Sequence, residues 1–487
     1  MKRNLLYIFA DQWRYQAQGC THEDQVRTPW MDRFAEESVR FSHAYSTFPL
    51  CSPHRASLMT GKYPFNVGMW TNCKTGLEEK IMLKPQETCI GNVLKEHGYQ
   101  TGYIGKWHLD ASEQNFQPRP ASGAEGWDAY TPPGERRQGF DYWLSYGACD
   151  EHLDPHYWAD SEEQIRPGKW SAEFETDKAI EYIGQRKGDE APFALFLSYN
   201  PPHLPYELVP DCYYEQFRNL EIEYRPNVPE ALREGILKTQ SRQYFAAVAG
   251  IDEQFGRIYR YLKEQGMEED TVVVLSADHG EMLGSHGLMS KNVWYEESIH
   301  IPFLIRQSGR LKAGAYENIF ASPDHMPTVL GMLGLPVPET CQGYDHSRRI
   351  LDDVMARGRI AGGGMTGGGA DSETSGSAAD VPRDMFLCSY PGGAQMVEQF
   401  GRLGLTHKAY GWRGIKTHTH TYVVVNGYQP GEPQKEYLYD DIHDPYQMQP
   451  GEIGEDCEDG EILAFRRRLR QYLEMTGDPF LFSRRQT

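Results

Sequence analysis

A cysteine two residues before a proline and four before an arginine opens the run Cys51-Ser52-Pro53-His54-Arg55-Ala56-Ser57-Leu58-Met59-Thr60-Gly61. The run predicts a helix that starts at the cysteine and ends at the glycine. A helix N-terminus gathers unpaired backbone N–H groups and the positive end of the macrodipole, so it favours an anion. Arg55, one turn in, adds a cation. A nucleophile derived from Cys51 would face an anionic substrate there. The alternative is a buried structural cysteine, the commoner role of a lone thiol.

Other residues capable of chemistry stand just beyond predicted strands. Asn4 to Ala10 reads as a buried strand with Asp11 at its end, and Tyr99 to Ile104 as a strand that leads into Gly105-Lys106-Trp107-His108. Phe193 to Tyr199 leads into Asn200-Pro201-Pro202-His203, and Thr271 to Ser276 into Ala277-Asp278-His279-Gly280. Helices are expected over Thr28 to Ser38, Glu87 to His97, Ala172 to Arg186 and Arg242 to Glu264, with Val39 to Ala44 extended and Ile301 to Arg306 a short strand. Strands alternating with helices predict an α/β fold with a large, mostly parallel sheet sandwiched by helices. Ligands bind such sheets outside the carboxyl ends of the strands, where Asp11, Lys106, His108, His203, Asp278 and His279 converge.

At 487 residues the chain exceeds the size at which one core stops growing, so one large and one smaller domain are expected. A formal charge of −20 excludes a general nucleic-acid binder, and a local group of cations must hold any anionic substrate. The apolar run Leu5 to Ala10 is too short for a signal peptide and no stretch reaches the roughly 20 apolar residues of a membrane span, so a cytoplasmic, non-membrane protein is expected. Nine scattered cysteines without a CxxC argue against a disulfide framework or a zinc knuckle. Gly, Ala and Ser dominate residues 357–380, read as a flexible insertion or linker between a catalytic domain (1–356) and a small C-terminal α+β subdomain (381–487). In the latter, Met385 to Tyr390 and Thr417 to Asn426 read as antiparallel strands and Glu461 to Met475 as a helix.

Taken in order, Leu6-Tyr7-Ile8-Phe9-Ala10-Asp11-Gln12, the Cys51 to Gly61 run, Gly105-Lys106-Trp107-His108, Ser276-Ala277-Asp278-His279-Gly280, Leu438-Tyr439-Asp440 and Asp444-Pro445 closely resemble the type I sulfatases of the alkaline-phosphatase-like superfamily. The resemblance covers most of the chain. It implies that a maturation enzyme converts Cys51 to formylglycine, Pro53 and Arg55 belonging to the signature that enzyme reads. One hydroxyl of the hydrated aldehyde would attack sulfur. The other, once deprotonated, would expel sulfate by regenerating the aldehyde, which splits one hard step into two. Arg55 would hold the hydrate.

By the same resemblance Asp11, Gln12, Cys51, Asp278 and His279 surround one divalent metal ion. Calcium is expected from the family. Gln12 and His279 stand where many sulfatases carry Asp and Asn, and they resemble the shell of phosphonate monoester hydrolases, so manganese or another transition metal is the alternative. Lys106 and Lys291 would bind sulfate, His203 or Lys291 would protonate the leaving alcohol, His108 would serve as base for sulfate release, and Asn72 would line the pocket. Alone, each lysine would be a solvated charge and Asn72 a turn residue.

The expected enzyme is a sulfuric ester hydrolase acting on a sulfated carbohydrate or an aryl sulfate. A phosphonate or phosphate diester hydrolase with the same nucleophile is the alternative, and a non-catalytic sulfated-glycan binder comes third. Trp13, Tyr15, Trp70 and Tyr206 lie near motif residues and are candidates for stacking on a sugar or aryl ring. His152, Asp154 and His156 read as a substrate-side loop, His418 and His420 as one face of a strand, and Arg466, Arg467, Arg468 and Arg470 as a solvated helix face.

Overall fold

The computed structural model describes residues 3–77, 79–352 and 382–482. The Gly-rich run at 357–380 lies outside the described residues. Among the described residues ten strands precede it: β1 (Asn4–Ala10), β2 (Val39–Phe41), β3 (Ala44–Tyr45), β4 (Gln100–Lys106), β5 (Tyr142–Tyr146), β6 (Phe193–Tyr199), β7 (Thr271–Ala277), β8 (Phe303–Gln307), β9 (Gly314–Tyr316) and β10 (Phe320–Ala321). Eight of them form one mixed sheet in the order β5-β4-β6-β1-β7-β8-β2-β9, and β3 pairs with β10. From β5 to β7 all neighbours are parallel, whereas β8 runs antiparallel to β7 and β2.

The central parallel strands β1, β6 and β7 are mostly apolar because both sheet faces are covered. Every residue of β6 and β7 is buried. The Pro29–Glu36 and Ser171–Gln185 helices pack against the long Ile236–Glu264 helix, and the Cys51–Thr60 helix packs against the His325–Leu333 helix. All ten residues of Cys51–Thr60 are buried, and several of its polar side chains are hydrogen-bonded, as with Thr60 to Ala56 O at 2.7 Å and His54 Nδ1 to Ser46 Oγ at 2.9 Å.

The C-terminal unit is an antiparallel sheet of β11 (Asp384–Ser389), β12 (Gly411–Thr417), β13 (His420–Gly427), β14 (Lys435–Asp440) and β15 (Gly451–Glu452), with the Gly460–Thr476 helix packed on β12. The expected strand over Thr417 to Asn426 is in fact the end of β12, a turn at His418-Thr419, and β13. Arg466 also departs from expectation. It is 3% exposed and donates to both oxygens of Glu436, itself fully buried on β14, at 2.8 Å each. Arg467 is exposed as expected, and Arg468 pairs with Asp384 at 2.8 Å.

Candidate active site

β1 lies between β6 and β7, so the residues leaving these strands meet at one edge of the sheet. Asp11 and Asp278 follow β1 and β7, Lys106 closes β4, and Asn200 follows β6. Backbone ladders continue past the strands: Asp11 N donates to Tyr199 O at 2.9 Å, and Asp278 N to Ala10 O at 3.2 Å. Gln12 then turns with φ of 66° and donates its own N–H to Asp278 Oδ1 at 3.1 Å.

The Cys51–Thr60 helix aims its first residue at this edge. Asp11, Cys51, Asp278 and His279 are buried, and their ligand atoms all lie within 4.8 Å of one another. His279 Nε2 is 3.3 Å from Cys51 Sγ, 3.5 Å from Asp11 Oδ1 and 3.6 Å from Asp278 Oδ1. Both Oδ1 atoms face this common point, while both Oδ2 atoms are held from behind. Arg55 donates from Nε to Asp278 Oδ2 at 3.1 Å and from Nη2 to Asp11 Oδ2 at 3.0 Å, and Lys106 Nζ lies 2.8 Å from Asp11 Oδ2. Arg55 Nη1 donates to Lys106 O and Ser198 Oγ, at 2.6 and 2.7 Å. These contacts turn Arg55 towards the carboxylates, so its principal work is to fix and neutralise them. Two inward-facing carboxylate oxygens and one imidazole nitrogen fit a divalent cation.

The electrostatics favour anions. Burial and Asp11 oppose ionisation of the Cys51 thiol, but Lys291, Lys106 and His279 hold it well below the usual thiol range. Burial would raise Asp11, yet Lys106, His203, Arg55 and Lys291 hold it well below the usual carboxylate range. Burial and the Asp11 charge push Asp278 up, against His279 and Arg55. Lys106 and Lys291 thus act on both Cys51 and Asp11, while His279 acts on the thiol and His203 on the carboxylate.

Lys106 also donates to Asn200 Oδ1 at 3.0 Å, and Asn200 Nδ2 donates to Asp150 Oδ1 at 3.1 Å. His203 points Nε2 towards Asp11 Oδ1, 4.0 Å away, and Nδ1 lies 3.4 Å from Asp150 Oδ1. Burial, Lys291 and Lys106 push its pKa down, but Asp150 and Asp11 outweigh them and raise it to about 9. Lys291 Nζ donates to Gln12 Oε1, and Gln12 Nε2 donates to Glu281 and to Tyr206 Oη, the latter at 3.1 Å. The amide oxygen of Gln12, the atom expected to face a metal, accepts from Lys291 here and stays beside Asp278 through the Gln12 N–H.

On the other side, Asn72 Oδ1 accepts from Ser52 N at 3.0 Å and Ser52 Oγ accepts from Cys73 N at 3.1 Å, which ties the Asn72 loop to the Cys51 helix. His108, at φ 49°, donates from Nε2 to Cys73 O at 3.0 Å. Its Nδ1 is buried and has no partner among the described residues.

Expectations about the flanking residues fare unevenly. Trp13 and Trp70 are 0% and 1% exposed, so they pack in the core and offer no ring face. Tyr206 is spent on Gln12, and Tyr15 stacks on His300 at 3.7 Å between centroids. His152 borders the site, its Nε2 donating to His203 O at 2.9 Å. His156 pairs with Asp128 at 2.7 Å and Asp154 with Arg166 at 3.6 Å. Asp128, Cys149 and His156 form a second acidic and thiol cluster, but Asp128 meets His156 Nε2 and Cys149 meets Nδ1, so opposite ring edges are used and no single nitrogen faces both. His418 donates from Nε2 to Glu317 O, and His420 lies 3.8 Å from Glu461. Asp150, Asn200, Ser198 and Glu281 were not singled out in the sequence. Asn200 had a signal in its place directly after a buried strand, and Glu281 in following Asp278-His279-Gly280.

The Sulfatase family model matches residues 3–335. The chain belongs to the sulfatase family. An endo-4-O-sulfatase of Bacteroides thetaiotaomicron is 34% identical, over 98% of this chain and 93% of that protein. An ulvan-active sulfatase of Formosa agariphila is 35% identical over 72% of this chain and 65% of its own length. A Bacteroides thetaiotaomicron structure described under the metabolism of multiple glycosaminoglycans superposes with a TM-score of 0.84 at 31% identity, covering 98% of this chain and 97% of the other. A phosphonate monoester hydrolase of Agrobacterium radiobacter shares the fold, at a TM-score of 0.67 and 19% identity over 98% and 95% of the two chains. The enzyme is thus a hydrolase of the sulfuric-ester class with the alkaline-phosphatase-like fold, close in sequence to sulfatases of carbohydrates.

Proposed function

We propose that this sulfatase removes sulfate from a sulfated carbohydrate, with Cys51 matured to formylglycine as nucleophile and a divalent cation held by Asp11, Gln12, Asp278, His279 and the residue at 51. The observation that carries this reading is the cation cluster. Arg55, Lys106, Lys291 and His203 surround two aspartates at the start of the Cys51 helix, in a chain whose overall charge is −20.

Formylglycine, when present, supplies a hydrated aldehyde whose oxygen is the nucleophile. A divalent cation, calcium or, as the His279 imidazole favours, manganese, would be held by these ligands and would supply Lewis-acid stabilisation of negative charge. The remaining work belongs to the chain. Arg55 keeps both carboxylates aimed inward. Lys106 and Lys291 exchange their contacts with Asp11 and Gln12 for sulfate oxygens and stabilise the charge that develops there. His203 is protonated at neutral pH and donates a proton from Nε2 to the leaving alcohol. Leu204 O, 2.6 Å from Nδ1, orients that ring from the opposite edge, with Asp150 beside it at 3.4 Å. Because a carbonyl can only accept, the bond to Cys73 O requires a proton on His108 Nε2, so in the neutral ring the lone pair a base needs sits on Nδ1.

The second reading, hydrolysis of phosphonate or phosphate diesters, draws on Gln12 and His279. A side-by-side panel of sulfate monoesters, sulfated sugars, phosphonate monoesters and phosphate diesters tests the choice. The sulfatase reading expects the highest kcat/KM on a sulfated sugar, and a diester preference would reverse it.

A further inference from the structure

We propose that Lys74 and Trp127 form a subsite for a sugar ring bearing a second anionic group, a carboxylate or a sulfate, beside the scissile ester. The proposal rests on the sulfatase reading above.

Trp127 is 44% exposed, unlike the buried Trp13 and Trp70. Its ring lies 6.3 Å from that of His108 at 29°. An indole face beside a pocket is a platform for the C–H face of a sugar. Lys74 Nζ lies 5.7 Å from the indole centroid. Lys74 is half-buried, burial alone pushes its pKa down, and no carboxylate pairs with it among the described residues. A partly desolvated ammonium without a counter-ion, in a chain with 69 acidic and 49 basic residues, is a poised anion site.

Both residues are fixed relative to Cys51. Lys74 follows Cys73, whose N–H donates to Ser52 Oγ and whose carbonyl accepts from His108. Asn115 clamps the loop, donating to Lys74 O at 2.9 Å and accepting from Gly76 N at 3.2 Å. Trp127 precedes Asp128, whose Oδ1 accepts from Ala129 N, Gly147 N and Ala148 N at 2.9, 2.7 and 3.0 Å while Oδ2 pairs with His156. The buried Asp128–His156 pair therefore positions the platform. A rigid aromatic next to a cation with no carboxylate partner among the described residues selects a polyanionic glycan over the sulfate ester of an otherwise neutral alcohol.

The test compares Lys74→Met and Trp127→Ala with the parent enzyme on four probes: 4-nitrophenyl sulfate, a monosulfated disaccharide carrying a uronate, its carboxyl-reduced counterpart, and a disulfated disaccharide without uronate. For Lys74→Met, kcat/KM should fall about tenfold further on one doubly anionic disaccharide than on 4-nitrophenyl sulfate, mainly through KM. The probe that suffers identifies carboxylate or sulfate as the second group. Trp127→Ala should weaken every disaccharide relative to the aryl ester. Equal losses on the carboxyl-reduced and charged disaccharides, equal losses on sugar and aryl esters, or no loss would overturn the proposal. Calorimetric binding of the same disaccharides to Cys51→Ala protein reads the subsite without turnover. A parent enzyme that releases sulfate from no probe, yet binds them in a Lys74-dependent way, would refute the sulfatase reading and leave the subsite standing.

Discussion

Replacing Arg55 by Met takes a donor from four acceptors, of which Asp11 keeps Lys106 and Lys106 O keeps Tyr103 Oη. The guanidinium holds Asp278 at 3.1 Å, Asp11 at 3.0 Å, Lys106 O at 2.6 Å and Ser198 Oγ at 2.7 Å, and both ion pairs are 0% exposed. Removing one partner of a buried ion pair costs about 3–5 kcal/mol, because the remaining charge stays out of water. Here two carboxylates are left facing each other. Lys106 still pairs with Asp11, which limits the second loss. The expected destabilisation is therefore about 5 kcal/mol, a large part of the roughly 5–15 kcal/mol that keeps a domain folded. Arg55→Lys restores the charge but cannot span four acceptors with one ammonium, so it should recover only part. The assay is urea unfolding of protein with unmodified Cys51 in chelator, which removes maturation and metal as variables. An Arg55→Met protein within about 1 kcal/mol of the parent would refute the view that Arg55 neutralises the two carboxylates.

Gly105→Ala should be as damaging by sterics alone, since a Cβ there would lie 2.1 Å from Ser198 O at a φ of 95°; a loss of about 3 kcal/mol or a failure to fold is expected, read from the urea midpoint and soluble yield. His156 carries a pH signature. Burial lowers its pKa, but its hydrogen bonds to Asp128 and Cys149 win and raise it to about 9 from 6.5. A raised histidine contributes stability that is complete below about pH 6.5 and lost as pH rises through about 9, here roughly 3 kcal/mol, so the fall in stability between pH 6 and 10 should shrink by about that amount in His156→Gln. Chelation should lower both turnover and the unfolding midpoint, and calcium or manganese should restore them; turnover unaffected by exhaustive chelation would remove the metal from the account.

The centre of the large sheet was legible because β1, β6 and β7 are largely apolar runs ended by polar residues, whereas the edge strand β5 (Tyr142–Tyr146) was not expected. β1, β6 and β7 begin and end within a residue of their expected limits. β12 was not legible. It reads Gly-Trp-Arg-Gly-Ile-Lys-Thr, with two glycines and two cations, yet Arg413 and Lys416 are 0% and 2% exposed. Arg413 pairs with Asp478 at 2.7 Å, and Lys416 with Asp441 at 2.8 Å. Those partners lie far along the chain, so no local pattern announces a buried strand. Arg466 was misread for the same reason, its partner Glu436 being on β14. Within the site, strand-end position identified Asp11, Lys106, Asp278 and His279. The division of labour was not visible: that Arg55 faces the carboxylates, that Gln12 holds Lys291, and that Trp127 offers the open ring depends on side-chain direction, which residue type does not encode.

The central claim concerns what residue 51 becomes. Batches of the protein made with graded amounts of a formylglycine-generating enzyme should be assayed for sulfate release, and the peptide spanning Cys51 weighed by mass spectrometry in each. Turnover should rise in proportion to the fraction carrying an aldehyde at position 51 and extrapolate to zero when all of it is thiol. Full turnover from protein whose Cys51 is wholly unmodified would contradict the account.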